Sequence, residues 1–198
     1  AFSSICLSAN KDTLYFSSGS RTDHGEVQTS AGLFPNKREV GLTTTIFKIP
    51  VNPPGTIYLP NDSAALISSG YVYCRGVRNS FDLELAPNGD LFGCENSGDR
   101  DDPDELNWLR PGYHYGFPWN MGGNETPMQF QGYNPANDKL INHQCAAWKK
   151  TYFYNDVNYP QPPPGTIFTE PVRNYGPDAD KFRDALTGSV RDASSEGG

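Results

Sequence analysis

The densest chemistry in this sequence lies in Glu95-Asn-Ser-Gly-Asp-Arg-Asp-Asp-Pro-Asp-Glu-Leu-Asn107. Asp99, Asp101, Asp102, Asp104 and Glu105 place five carboxylates in seven residues, against Arg100 alone. Like charges this close repel unless water or a cation neutralises them. Oxygen donors without His or Cys select a hard ion such as Ca2+ over Zn2+. The loop is not an EF-hand: counted from Asp99, Asp104 stands where that loop needs Gly, and Arg110 where it needs Glu. The competing reading is a solvated loop in which Asp102, before Pro103, starts a short helix. Composition leaves the two open. No Gly-x-Gly-x-x-Gly opening a helix, P-loop, His-Glu-x-x-His or Gly-x-Ser-x-Gly pattern is present. Trp108, Trp119 and Trp148 could stack on sugar rings, although a core role is the commoner fate of such residues.

The elements that must carry this loop read as β. Twenty Gly and 17 Pro among 198 residues are too much punctuation for a helical bundle. Eleven Tyr, 11 Phe and three Trp supply enough apolar area to oppose chain entropy, so disorder is not expected. A net charge of −7 argues against a nucleic-acid partner, and no apolar run approaches a membrane span. Cys6, Cys74, Cys94 and Cys145 form no Cys-x-x-Cys pair, which leaves two disulfides or four buried thiols as the alternatives.

Two segments repeat one pattern. Residues 5–19 and 83–97 each give a strand, an Asn-centred turn, a second strand and a polar exit loop. Asn88-Gly89 predicts a two-residue hairpin turn with φ > 0 at both positions. Ile5 and Leu7, like Leu83 and Leu85, alternate on what should be a buried face. The spacing exceeds the usual ~40–50 residues of a propeller blade, so one blade carries an insertion or two blades share the interval. Residues 43–50 predict a strand, residues 65–74 a strand pair, residues 160–165 a stiff extended connector and residues 178–186 the one short helix. The expected organisation is a hairpin and loop over 1–42, a blade carrying the acidic loop over 43–125, and a Pro-rich insertion over 126–198. We expect a piece of a larger repeat architecture, with the rest of its own propeller covering its faces; a complete small domain is the alternative.

Four elements in order carry a family likeness. Gly76-Val-Arg-Asn-Ser-Phe-Asp82, the hairpin after it, the acidic segment to Asn107, and Arg110-Pro-Gly-Tyr-His-Tyr-Gly-Phe-Pro118 together resemble the glucose/sorbosone dehydrogenase family. The resemblance implies an all-β fold, part of a six-bladed β-propeller of which this chain supplies about two to three blades. It also implies a secreted or periplasmic quinoprotein that uses pyrroloquinoline quinone (PQQ) and Ca2+ to oxidise a sugar, an aldose. Hydride would pass to the quinone, and electrons onward to an acceptor such as a cytochrome. Residues 1–42 resemble the preceding blade more weakly.

Under that resemblance, Arg78 stands where the family places the arginine that reaches the quinone oxygens, with Asn79 beside it. A fixed guanidinium would stabilise the negative charge that hydride leaves on oxygen. Without the resemblance, Arg78 reads as an ion-pair partner of Asp82 or of a loop carboxylate. Ser97 and Gly98 match the pair whose carbonyls hold the cofactor-bound Ca2+. Asp104 belongs to the same acidic segment as a further metal candidate, and Glu105, Tyr115 through its carbonyl and Glu125 match a second, structural Ca2+ site. The chain also departs from the family: Ser97-Gly98 replaces Gly-Pro, and Phe81 stands where a polar residue is usual. The family's histidine base belongs ahead of the first hairpin and its acidic partner falls near Ser20, which leaves His24 and Asp23 as fallback candidates only. The other function consistent with these residues is a non-catalytic, calcium-stabilised propeller acting as a binding or adhesion module.

Overall fold

The computed structural model describes residues 2–25, 38–98, 100–138, 140–141 and 158–173, together with the backbones of two short strands beyond them. Strands β1 (Phe2–Leu7) and β2 (Thr13–Ser18) form the first hairpin, and β3 (Thr45–Pro50) and β4 (Val72–Arg75) continue the sheet. All four pair antiparallel in the order β1-β2-β3-β4, the meander of one propeller blade. The sheet therefore runs across the boundary expected after residue 42. The wide repeat spacing comes from one blade with a long insertion between β2 and β3.

The strand pair expected over residues 65–74 is half wrong. Its first part is a helix, α1 (Ser63–Ser68), because the Asp62 side chain accepts the Ala65 N–H at 2.8 Å and satisfies a donor that a strand would leave elsewhere. Only Leu66 of the helix is buried, packed with Phe16 and Phe47 of the sheet. Within residues 178–186, where a helix was expected, the described part is strand β10 (Lys181–Arg183), which pairs with β11 (Val190–Asp192).

The second sheet is β5 (Ser80–Leu85), β6 (Leu91–Glu95) and β7 (Glu105–Leu109), antiparallel in that order. Its hairpin turn differs from expectation. Gly89 alone has positive φ (90°), and the Gly89 N–H donates to Ala86 O while the Ala86 N–H donates to Asp90 O, each at 2.8 Å. Pro87 fixes φ near −65° at the first central position, so the turn is type I with glycine at the left-handed position after it. No helix follows Asp102-Pro103; the chain enters β7 directly. Beyond Gly112 come two short paired strands, β8 (Asn120–Met121) and β9 (Asn124–Glu125), and single turns of 3-10 helix. Residues 160–165 carry neither strand nor helix and end in a turn, as expected of a Pro-rich connector.

One core joins the sheets: Ile46 and Cys74 from the first, Leu83, Leu91 and Leu109 from the second, with Val77 and Tyr115 between. The hydrophobic face expected on β1 is reversed, since Ile5 is 69% exposed while Ser4 is buried. The cause is a polar seam. The hydroxyls of Ser3 and Ser4 donate to Ser80 O at 2.9 and 3.1 Å, and turning these serines toward β5 turns Ile5 outward. Cys6, Cys74 and Cys94 are free thiols, with Cys94 exposed, so neither disulfides nor uniformly buried thiols hold among the described residues. Cys145 and Trp148 lie outside them.

Candidate functional site

Arg78 occupies the short segment between β4 and β5, and both of its neighbours fix it. Val77 is fully buried in the shared core. The Arg78 N–H donates to Glu95 Oε2 at 2.5 Å, while the Ser20 N–H donates to Arg78 O at 2.6 Å. From this pinned backbone the guanidinium reaches the loop ends. Nε donates to Asp23 O (3.0 Å), Nη1 to Asn96 O (3.1 Å) and Ser97 O (2.8 Å), and Nη2 to Asp23 Oδ1 (2.5 Å). A guanidinium carries five N–H donors, so four are committed and one remains. Asn79 lies beside it, its amide donating to Asn96 Oδ1 at 2.6 Å. Arg78 thus pairs with Asp23 rather than with Asp82.

Asp23 and His24 close the other side. His24 is 3% exposed although it lies outside any strand or helix. Its Nδ1 lies 2.7 Å from Asp23 Oδ2, and its Nε2 accepts the Arg100 N–H at 3.1 Å. Both ring nitrogens are engaged with the protein, which does not suit a substrate-facing base. Gly98 packs against this pair: an added Cβ would sit 2.8 Å from Asp23 Oδ2 and 2.9 Å from His24 Nε2. The glycine is there for space, which is why Ser97-Gly98 holds this loop without a proline.

The acidic segment turns inward instead of fanning into water. The Asp102 carboxylate is buried and paired with Arg100, which also donates through Nε to Asp138 Oδ2 at 2.8 Å. Burial still pushes Asp102 up to about 6. Asp104 Oδ1 accepts the Ser97 N–H at 2.6 Å. Glu105 is buried, and its oxygens accept from Asn107 Nδ2 (2.9 Å) and the Gly122 N–H (2.7 Å). Desolvation, and then the Glu95 charge, hold it well above the usual carboxylate range. Glu95 is the residue the sequence reading missed. It is buried, accepts from both the Arg78 N–H and Asn107 Nδ2, and is pushed up by burial to about 7. A glutamate ending a strand carries no sequence signal for that role; only its partners across β5 and β7 reveal it. Asp99 lies outside the described residues.

These donors do not fit a calcium cage. Ser97 O, expected to ligate an ion, already accepts from Arg78 Nη1 and Asn96 Nδ2. The Tyr115 side chain is core, its hydroxyl donating to Trp108 O and accepting the Arg110 N–H, which leaves only its carbonyl as an oxygen for an ion; Glu125 is exposed. Among the described residues, no group of three or more His, Cys, Asp or Glu side chains could hold a metal ion. The structure therefore brings together Arg78, Asn79, Asp23, His24, Ser97 and Gly98, but does not gather the Asp104, Glu105 and Glu125 carboxylates around one point.

A sequence model of the Glucose / Sorbosone dehydrogenase family matches residues 1–157. The chain belongs to this family. Among its described residues the four- and three-stranded sheets are antiparallel and open, as expected of part of an all-β propeller. Similar solved structures include the PQQ-bound aldose sugar dehydrogenase of Streptomyces coelicolor, 25% identical with a TM-score of 0.39 over 65% of this chain and 35% of that one. Another is a glucose dehydrogenase-type oxidoreductase of Thermus thermophilus, 23% identical with a TM-score of 0.41 over 65% of this chain and 39% of that one. The apo soluble aldose sugar dehydrogenase of Escherichia coli is 16% identical, with a TM-score of 0.39 over 60% of this chain and 30% of that one. The chain spans about a third of the length of these structures. No curated protein matches it. Among the described residues, no helix is long and apolar enough to cross a membrane.

Proposed function

We propose that this chain is a section of a secreted or periplasmic PQQ-dependent dehydrogenase that oxidises an aldose sugar, with Arg78 as the group that faces the quinone oxygens. The observation that carries this reading is the immobilised Arg78 guanidinium, with four donors held by Asp23, Asn96 and Ser97 and one left over. Bound PQQ supplies the hydride acceptor, and a soluble partner such as a cytochrome takes the electrons on. The residues of this chain orient and neutralise. Arg78 offers a fixed positive charge and one N–H to an anionic oxygen, so it needs no rearrangement when charge develops there. Asn79, with one amide hydrogen and its carbonyl oxygen still uncommitted, borders the same edge. Asp23 holds the guanidinium in place and His24 holds Asp23; neither takes the substrate proton, and no described residue is assigned as the base. Calcium has no step in this reading, because Ser97 O, Asp104 Oδ1 and the Glu105 oxygens already accept protein N–H groups.

The test is a PQQ titration of the chain followed by absorbance, with dye reduction by aldoses on the full-length protein. Saturable binding is expected, weakened about tenfold or more in Arg78→Lys, since a charge-assisted hydrogen bond is worth ~1.5–3 kcal/mol and lysine lacks the fork. Binding that is absent, or unchanged in Arg78→Lys, sinks the reading.

A further inference from the structure

A cavity of about 250 Å3 opens beside β4, bounded by Arg75, Glu39, His114, Phe117, Pro118 and Trp119; none of the residues that hold Arg78 lines it. A second hollow of about 460 Å3 shares Arg75 and His114 with it. The backbone of Arg75 is rigid, since its N–H donates to Tyr113 O at 3.0 Å and its carbonyl accepts the Tyr115 N–H at 2.8 Å. Its side chain is different. Among the described residues the half-buried guanidinium makes no ion pair and no hydrogen bond.

The other charges on this wall are committed. Glu39 accepts from the Arg21 N–H, the Thr22 N–H and the Thr22 hydroxyl. Arg38 donates to Gly25 O at 3.2 Å and to Asn158 O at 2.8 Å. His114 adds no charge, because burial, and then Arg75, hold it down at about 4. Its Nδ1 accepts the Gly116 N–H at 3.2 Å, which leaves the proton on Nε2 as a further donor. Arg38 and Glu39 offset each other in formal charge, so the cavity keeps one net positive charge, on the partly desolvated Arg75, and that arrangement favours an anionic guest.

Phe117, Pro118 and Trp119 make one side of the cavity apolar, while Thr43, Thr44 and Ser63 bring hydroxyls to its lining. Trp119 and Phe168 stack at 5.8 Å with 15° between planes, and His114 tilts against both. Trp119 Nε1 donates to Pro160 O at 2.7 Å, which fixes the indole. We propose that this cavity binds a small carboxylate carried on a six-membered ring, with the Arg75 fork taking the carboxylate and the Trp119–Pro118 wall taking the ring face. A fork-to-fork pair matches guanidinium geometry, and the volume, just below the usual ~300–1,000 Å3 of ligand clefts, suits a single ring. The inference is independent of the PQQ reading.

Isothermal titration calorimetry of the full chain tests it with two probes, D-glucuronate for a polyol ring and cyclohexanecarboxylate for an apolar one, and with D-glucose as the uncharged control. At least one carboxylate should bind with Kd below about 1 mM, D-glucose should not, and Arg75→Gln should weaken binding tenfold or more. Should Arg75→Gln not fold, as read by circular dichroism, Arg75→Lys replaces it, with a loss of threefold or more expected from the missing fork. No binding by either carboxylate, equal binding by D-glucose, or losses below those thresholds overturns the proposal. Which of the two rings binds more tightly assigns the source of the carboxylate.

Discussion

Arg78 and Glu95 act as one unit: the carboxyl that receives the Arg78 N–H also receives Asn107 Nδ2, so the position of the arginine depends on a buried acid. That acid gives a pH dependence with a definite sign. Burial raises Glu95 from 4.5 to about 7, so the folded state binds this proton more tightly than the unfolded chain does. The stability it contributes is complete below about 4.5 and is lost as pH climbs through about 7. Asp102, raised by burial to about 6, adds a loss of the same sign. The melting temperature should fall between pH 5 and pH 8, and Glu95→Gln should flatten that slope. A melting temperature that rises over this window in the unmodified protein would contradict the burial described for both groups.

Each β element rests on local devices. Pro87 and Gly89 set the β5–β6 turn, with Gly89 at φ 90°, a region an L-residue enters only under strain. No heavy atom lies within 4 Å of an added Cβ there, so Gly89→Ala isolates the backbone term. The substitution should destabilise by ~1 kcal/mol, read as a shift in urea midpoint at unchanged slope. An unshifted midpoint would show that this turn is not left-handed at Gly89. Strand β1 illustrates the opposite case, a strand whose facing is set by distant partners. Its serines bond to Ser80 O, 76 or more residues away, and hydrophobic alternation alone points the wrong side inward.

Taken as a whole, the described residues leave apolar faces exposed. Phe2 and Ile5 on β1 are each 69% exposed, Phe81 at the bulge in β5 is 76% exposed, and Leu106 and Trp108 alternate outward on β7. Propeller sheets bury such faces against neighbouring blades. Studied by itself, the chain should self-associate through these strands. Sedimentation velocity should show mass rising with concentration, and less so in Ile5→Asp, which charges the β1 face without touching the Ser80 seam. A strictly monomeric chain at every concentration would mean these faces are not sticky.

The sequence by itself determined the strand-turn-strand repeat, the all-β class and the order of the Arg78, acidic-loop and Tyr-Gly-x-Pro elements, because turn chemistry and period-two patterning act over a few residues. Helix α1 escaped it: six residues give too little periodicity, and the deciding signal was a single cap at Asp62. Tertiary structure alone decided that the loop carboxylates turn inward onto Arg100, Asn107 and backbone N–H groups, that His24 is buried, and that Glu95 supports Arg78. Charge neutralisation depends on which donors lie within about 3 Å across the sheets, and no spacing along the chain encodes that distance.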